Sequence, residues 1–302
     1  MQKIAALILG ISIVLCHLPG SMAVPTPTPI PPSPTVTQAP TRMPTLPPAP
    51  TATPTWVHQG PNSVIVPIIL YHHVDVSPTS SRYHLSARKF DQEMKLLHDW
   101  GYTTITTGMM LEAITEGTDL PPRPIIITFD DGNLNTYTTA FPIMQKYGFT
   151  GVVYIVGRYM GADQFMNADQ IQEMAAAGWE VGSHTMTHSD LTLLEPQQQR
   201  REIVDSREFL QSQLGLPIDT IAYPFGTYDP AVLDYVYYAG YSTAVTLGST
   251  NNQGTYNLFA LQRREIKSSY DMLQFAQFLP WHGDPIYLQL DTGAPAATPT
   301  PD

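Results

Sequence analysis

The chain has 302 residues and carries 15 basic against 26 acidic side chains, a formal net charge of −11, with a single cysteine, Cys16. So acidic a surface argues against nucleic acid or an anionic membrane as partner, and suits a substrate that is neutral or becomes cationic. A chain this poor in cysteine holds its fold by its core and not by disulfides.

Residues 1–23 combine a basic start at Lys3, an apolar run over 4–15 and a small-residue exit at Ser21-Met22-Ala23. That is the pattern of a secretory signal cut after Ala23, and the run is short for a bilayer span. Cys16 follows Val14-Leu15, whereas a lipidated signal has a small residue just before its cysteine. Cleavage removes one charged residue, Lys3, and moves the formal charge from −11 to −12. The mature chain is then expected to lack cysteine and any membrane span, to be secreted or held at the cell surface, and to be a monomer. Residues 24–58 alternate Pro and Thr with almost no charge and too few large apolar groups to offset the entropy of ordering. At roughly 3 Å per residue, such a Pro-rich segment spans on the order of 100 Å. A shorter echo, 292–302, reads as a disordered tail, which leaves 59–291 as one sizeable domain.

Within that domain, residues 64–70 read as a buried strand ending in Tyr71-His72-His73. Ser86 caps a helix with Phe90, Met94 and Leu97 on one face, ended at Gly101. A strand over 103–106 and a helical turn over 111–114 lead to a strand over 125–129. A helix over 137–147 stops at Gly148, a strand follows over 152–156, and Asn167 caps a helix with Ile171 and Met174 inward. Then come a strand over 179–183, a long amphipathic helix over 196–214, a strand over 220–223 and a helix over 231–238. A strand over 243–246, a later one over 261–266 and a helix over 272–278 complete the domain. Repeated βα units with buried strands predict a parallel sheet with helices outside, either open and doubly wound or closed as a barrel. Met109-Met110, Tyr235, Tyr237 and Tyr238 read as packing, Trp281 as a cover for the core, and His58, His84 and His98 carry no partner pattern.

Two of these strands end in chemistry. Residues 125–129 run into Asp130-Asp131-Gly132, and 179–183 into His184, with His188 four positions on. In parallel α/β folds the C-terminal ends of buried strands carry the functional groups. Two neighbouring carboxylates repel each other unless paired, and a cation beside them relieves that. Two histidines four apart with one carboxylate supply three ligands and leave a metal's remaining positions open to water and substrate. Without cysteine, any tight metal rests on histidine and carboxylate, which points to zinc or a similar divalent ion.

Thr128-Phe129-Asp130-Asp131-Gly132, Ser183-His184-Thr185-Met186-Thr187-His188 and Ala222-Tyr223-Pro224-Phe225-Gly226 resemble, in this order, the three leading motifs of the polysaccharide deacetylases. These are the NodB-homology enzymes of carbohydrate esterase family 4, and the likeness covers most of residues 64–280. Ile69-Leu70-Tyr71-His72-His73-Val74 is similar to the subgroup that contains poly-N-acetylglucosamine deacetylases. The resemblance implies an α/β fold, a distorted (β/α)7 barrel, and hydrolysis of N-acetyl groups on a β-linked N-acetylglucosamine polysaccharide. It implies Asp131, His184 and His188 as ligands of one divalent metal, expected to be zinc, and Asp130 as general base. A backbone N–H near Phe225, on the turn Tyr223-Pro224-Phe225, is expected to face the oxyanion. Peptidoglycan deacetylation and O-acetyl xylan hydrolysis share these motifs, because the cleft sets the sugar. A carbohydrate-binding relic is disfavoured by Asp130, a base that binding alone does not need.

Two positions depart from the family pattern. The arginine that opens the third motif and orients the base is Ala222 here. Arg263 or Arg264 is expected to replace it, with Arg263 reaching Asp130, since a guanidinium fork holds a carboxylate in one plane. The late Leu-x-His motif, whose histidine protonates the leaving amine, is not evident. His72 is the expected acid and His282 a weaker candidate.

Overall fold

The computed structural model describes residues 55–77 and 79–283. The signal segment, most of the Pro/Thr-rich linker and the tail lie outside the described residues. Seven strands form a ring: β1 (Ile68–Tyr71), β2 (Pro124–Phe129), β3 (Val152–Ile155), β4 (Glu180–Ser183), β5 (Thr220–Ala222), β6 (Thr243–Leu247) and β7 (Leu261–Glu265). Each pairs in parallel with the next, and β7 returns to β1, so the sheet closes in chain order. This is the (β/α)7 barrel that the resemblance implies. Its distortion sits at two seams. Strand Thr103–Thr104 pairs with the start of β2, before β2 meets β3 at Thr128 and Phe129. The closing seam holds through two registered pairs, Arg264↔Ile69 and Glu265↔Leu70.

Alternation along the strands separates two cores. Ile69, Tyr71, Ile127, Phe129, Val153 and Val181 pack outward against helix residues such as Phe90, Met94, Met144, Met174 and Leu210. Ile68, Ile126, Val152, Tyr154, Val245 and Leu261 belong to a second cluster with Met110, Ala113 and Ile114 of helix Thr107–Thr115. Both faces of the strands are therefore apolar, which explains unbroken runs such as residues 125–129.

The chain departs from the sequence expectations at several points, among them a π segment, Thr136–Ala140, that opens the helix expected over 137–147. Residues 64–70 are not one strand: Ser63–Ile65 pairs with Asn252–Gly254, and β1 begins only at Ile68. Pro67, without an N–H, stands at the break. The strand expected over 103–106 ends at Thr104, because the Thr106 hydroxyl accepts from Met109 N and caps a full helix where only a turn over 111–114 was expected. Ordered backbone also begins before residue 59, since Val57–Gln59 pairs with Thr118–Leu120 and the last two linker positions belong to the fold. The long helix over 196–214 contains a π turn, Arg201–Asp205, between Pro196–Arg200 and Ser206–Leu214. Among the described residues no helix is long and apolar enough to cross a membrane.

Helix Ala87–Asp99 begins at the Ser86 cap, whose hydroxyl accepts from Lys89 N, and it buries Glu93 completely. Glu93 Oε2 accepts from the Tyr71 hydroxyl at 2.7 Å, while Oε1 has no partner among the described residues. Burial dominates and pushes its pKa from 4.5 up to about 8, against the Tyr71 hydrogen bond and the Lys89 charge. With the folded value above the unfolded one, protonation favours the native state: the contribution is full below pH 4.5 and is lost as pH rises toward about 8. Glu93→Gln should therefore gain stability over the wild type across this window, by up to ~1.4 kcal/mol per pH unit. Urea midpoints measured at both ends of the window check this, and parallel pH dependence in the two proteins would refute a neutral Glu93.

Candidate active site

Asp130 extends the inward phase of β2 that runs through Ile126 and Thr128, and its N–H donates to Tyr71 O at 3.1 Å. The backbone then turns sharply, with φ of 73° at Asp131 and 78° at Gly132. A side chain on Gly132 would meet Ile155 Cδ1 at 3.1 Å, so the turn needs glycine for its space as well as its conformation. Thr185, His188 and Phe225 also have φ of 60–67°, so among the described residues four of the six non-glycine residues with positive φ lie in this one site.

Arg263, on β7, points into the barrel and holds Asp130 with both arms, Nη1 to Oδ1 at 2.7 Å and Nη2 to Oδ2 at 2.8 Å. Nη1 also donates to Thr128 Oγ1 at 3.3 Å and Nε to Thr246 O at 3.4 Å. Both residues are at most 2% exposed. Burial pushes the Asp130 carboxyl up, but the charge of Arg263 and then that of His184 outweigh it and bring the pKa down to about 2. Ala222 lies in the barrel's inner cluster and leaves Asp130 to the arginine from β7. Arg264, expected as the alternative, instead donates to Ser249 O and covers the Phe278 ring.

Asp131 Oδ1 lies 3.7 Å from His184 Nε2 and 3.6 Å from His188 Nε2. Bonds of about 2.0–2.2 Å to one ion set tetrahedral ligand atoms roughly 3.4 Å apart, so this donor set fits a divalent metal. His184 Nδ1 donates to Ala222 O at 2.8 Å, which fixes the tautomer and leaves Nε2 free to ligate. The His188 ring stands edge-on to His184 and to Phe225, at 4.7 and 4.8 Å between centroids. Burial lowers the His188 pKa, with the nearby His184 acting in the same direction.

A second His/Asp group, His73, Asp75 and His84, borders the same cleft. The His73 and His84 rings stack in parallel, 4.0 Å apart between centroids. His84 Nδ1 and Asp75 Oδ2, 2.5 Å apart, form a direct hydrogen bond, closer than two ligands of one ion stand. The group ties the ladder His73–Asp75 to His84–Ser86, and Asn135 Nδ2 completes it at 2.6 Å from Asp75 Oδ1.

His72 also lines the cleft. Its ring lies 4.7 Å from that of Tyr83, and its Nδ1 is buried without a partner among the described residues. Burial lowers its pKa, opposed by Asp130 and then Asp131. His282 stands instead against Trp100, remote from the cleft lining, and Trp281 binds Tyr102 beside it. Tyr223-Pro224-Phe225 forms the expected turn. Tyr223 N donates to Val245 O and Gly226 N to Tyr223 O, Pro224 has no N–H, and the Phe225 N–H is left outside the turn's own hydrogen bonds. Sequence reasoning missed Asn133, whose Nδ2 bridges His72 O and Asp130 O, and assigned no role to His84.

Removing one partner of a buried ion pair strands the other, so Arg263→Ala should cost about 3–5 kcal/mol at neutral pH. Because the Asp130 pKa is depressed from 3.8 to about 2, the pair contributes fully above the unfolded value and is lost as pH falls through the folded one. Urea unfolding of Arg263→Ala, with and without Asp130→Asn, reads this directly. The loss should shrink in the double variant, and equal losses in both would show that the pair does not act as a unit.

Comparison with known proteins agrees with this geometry. The family model described as polysaccharide deacetylase matches residues 117–244. YxkH of Bacillus subtilis, itself named for this family, is 31% identical over 196 residues, which cover 64% of this chain and 69% of YxkH. The poly-β-1,6-N-acetyl-D-glucosamine N-deacetylase of Staphylococcus aureus is 26% identical over 178 residues, 52% of this chain and 59% of that enzyme. Among solved structures, the polysaccharide deacetylase BC0361 of Bacillus cereus superposes with a TM-score of 0.64 at 28% identity, covering 72% of this chain and 69% of that one. The chain belongs to the polysaccharide deacetylase family.

Proposed function

We propose that this enzyme is a secreted, metal-dependent deacetylase that hydrolyses the N-acetyl groups of a β-linked N-acetylglucosamine polysaccharide to acetate and a free amine. The observation that carries the reading is the arginine-clamped Asp130 carboxylate, 3.7 Å from His184 Nε2 and directly beside the three-donor group. When held by Asp131, His184 and His188, a divalent ion supplies Lewis acidity toward the acetyl carbonyl and acidifies water; zinc suits this mixture of imidazole and carboxylate.

Asp130 accepts the proton of the attacking water. With a pKa near 2 it is a weak base in bulk terms, so it acts through fixed position: Arg263 holds it ionised and in one plane. The Phe225 N–H donates to the oxyanion. As the C–N bond breaks, the nitrogen must gain a proton, and His72 is the acid assigned to it. Burial lowers the His72 pKa and the carboxylates Asp130 and Asp131 oppose it; His72 serves as the acid once it has taken up a proton. Tyr83, Phe225 and Tyr228 expose part of their rings near the cleft and suit the apolar faces of pyranose rings. The named substrate of the staphylococcal relative supports N-acetylglucosamine as that sugar.

Amine release from short N-acetylglucosamine oligomers should stop with a chelator and return with zinc. His184→Ala should lose both bound zinc and activity while staying folded; stoichiometric zinc in that variant would reject the ligand set. Asp130→Asn keeps the shape of the base but cannot take a proton, so turnover should fall by roughly 10²-fold or more with zinc retained. Loss of zinc in that variant at unchanged stability would mean that Asp130 and Asp131 have exchanged roles.

A further inference from the structure

The loop between the two histidines carries left-handed backbone at both Thr185 and His188, with φ of 67° and 61°. Such a conformation is costly for a β-branched residue and persists only where its surroundings hold it. Part of the restraint is local: Thr185 N donates to Ser183 Oγ at 3.1 Å and His188 N to Thr185 Oγ1 at 3.0 Å. From outside the loop, Gly157 N and Arg158 N donate to Thr185 O at 3.0 Å and Met186 O at 2.9 Å, and one side chain on a distant helix takes up the loop's own donors. Glu202 Oε2 accepts from Met186 N at 3.0 Å and from Thr187 N at 2.8 Å, while Oε1 accepts from the Thr187 hydroxyl at 2.6 Å.

Glu202 is 7% exposed and sits in the π turn Arg201–Asp205, the feature that interrupts the long helix. Such turns concentrate at functional sites. Four residues on, Ser206 Oγ lies 3.0 Å from Ser183 Oγ at the end of β4, so the helix grips both the strand and the loop that leaves it. Two successive backbone N–H groups converging on one carboxylate oxygen make a small anion nest, and hydrogen bonds to a charged acceptor are stronger than neutral ones. Glu202 thus meets three donors of the loop that carries both histidines of the donor set.

We infer that Glu202 is a positioning residue of the metal centre. Its carboxylate holds the loop in the left-handed form that brings His188 Nε2 to Asp131 and His184, and so it sets metal affinity. The inference rests on the reading of Asp131, His184 and His188 as the ligand set.

Zinc titrated into the metal-stripped full-length protein tests it, alongside the unfolding midpoint of each metal-free form. Glu202→Ala should weaken zinc binding by roughly 10–100-fold, the usual effect of removing a group that orients a ligand. Glu202→Asp, which withdraws the carboxylate by one methylene, should lose about 10-fold and serves if the alanine variant does not fold. Glu202→Gln still offers an amide oxygen to both N–H groups and should recover most of the affinity, which separates geometry from net charge. A lower midpoint with unchanged zinc affinity would show a purely structural role and overturn the inference. Wild-type protein that binds no zinc would reject the ligand set, and the affinity role with it. Wild-type binding that is matched by Glu202→Ala would reject the role of Glu202 alone.

Discussion

A buried charge pair organises the upper half of this barrel. Arg263 and Asp130 meet in the interior, where each alone would carry a desolvation cost of several kcal/mol, and the two-armed contact offsets that cost only if the geometry is kept. The surrounding residues keep it. Thr128 and the Thr246 carbonyl take two more guanidinium donors, and the Tyr154 ring lies 5.3 Å from the guanidinium carbon. Tyr154 in turn needs Gly182 opposite, since a side chain there would come within 2.5 Å of its ring. A small residue on β4, an aromatic on β3 and a threonine on β2 are thus consequences of one arginine on β7.

Rigid strands bring the groups near one another, but the final positions are set by loops in unfavourable backbone conformations. Asp131, Thr185, His188 and Phe225 each adopt left-handed φ. Such residues are seen where neighbouring contacts over-determine them, and here those contacts are visible: hydroxyl acceptors within the histidine loop, the Glu202 carboxylate behind it, and the tight turn under Phe225. The backbone N–H groups of Thr185, Met186, Thr187 and His188 are all taken up by this scaffolding.

Much of this was legible in the sequence, for identifiable reasons. Strands buried on both faces leave unbroken apolar runs, so β2 and β3 were readable from residues 125–129 and 152–156 alone, while the choice of a closed barrel over an open sheet came from the family resemblance. The placement of Arg263 followed from a deficit, an alanine at 222 where the family pattern has an arginine, together with the fit of a guanidinium fork to one carboxylate. Pairings between distant short segments were not readable. Val57–Gln59 with Thr118–Leu120 and His73–Asp75 with His84–Ser86 are three-residue ladders, too short for a period to register. Glu202 was equally hidden, because a glutamate in an amphipathic helix looks solvent-facing until a π turn and a partner loop bury it.

The ring closes where β7 meets β1, and the charge pair spans that closure, since β1 stands between the strand that carries Arg263 and the strand that ends at Asp130. During synthesis Asp130, Asp131, His184 and His188 all emerge before the residue that neutralises the first of them. Without β7 the Asp130 carboxylate lacks the guanidinium that holds it, and burying it uncompensated is unfavourable. The same strand, β7, closes the hydrogen-bonded ring and supplies the arginine of the site. A chain that has not finished folding therefore has no arginine-held base, and assembly order separates the folded, competent enzyme from every partly folded form of it.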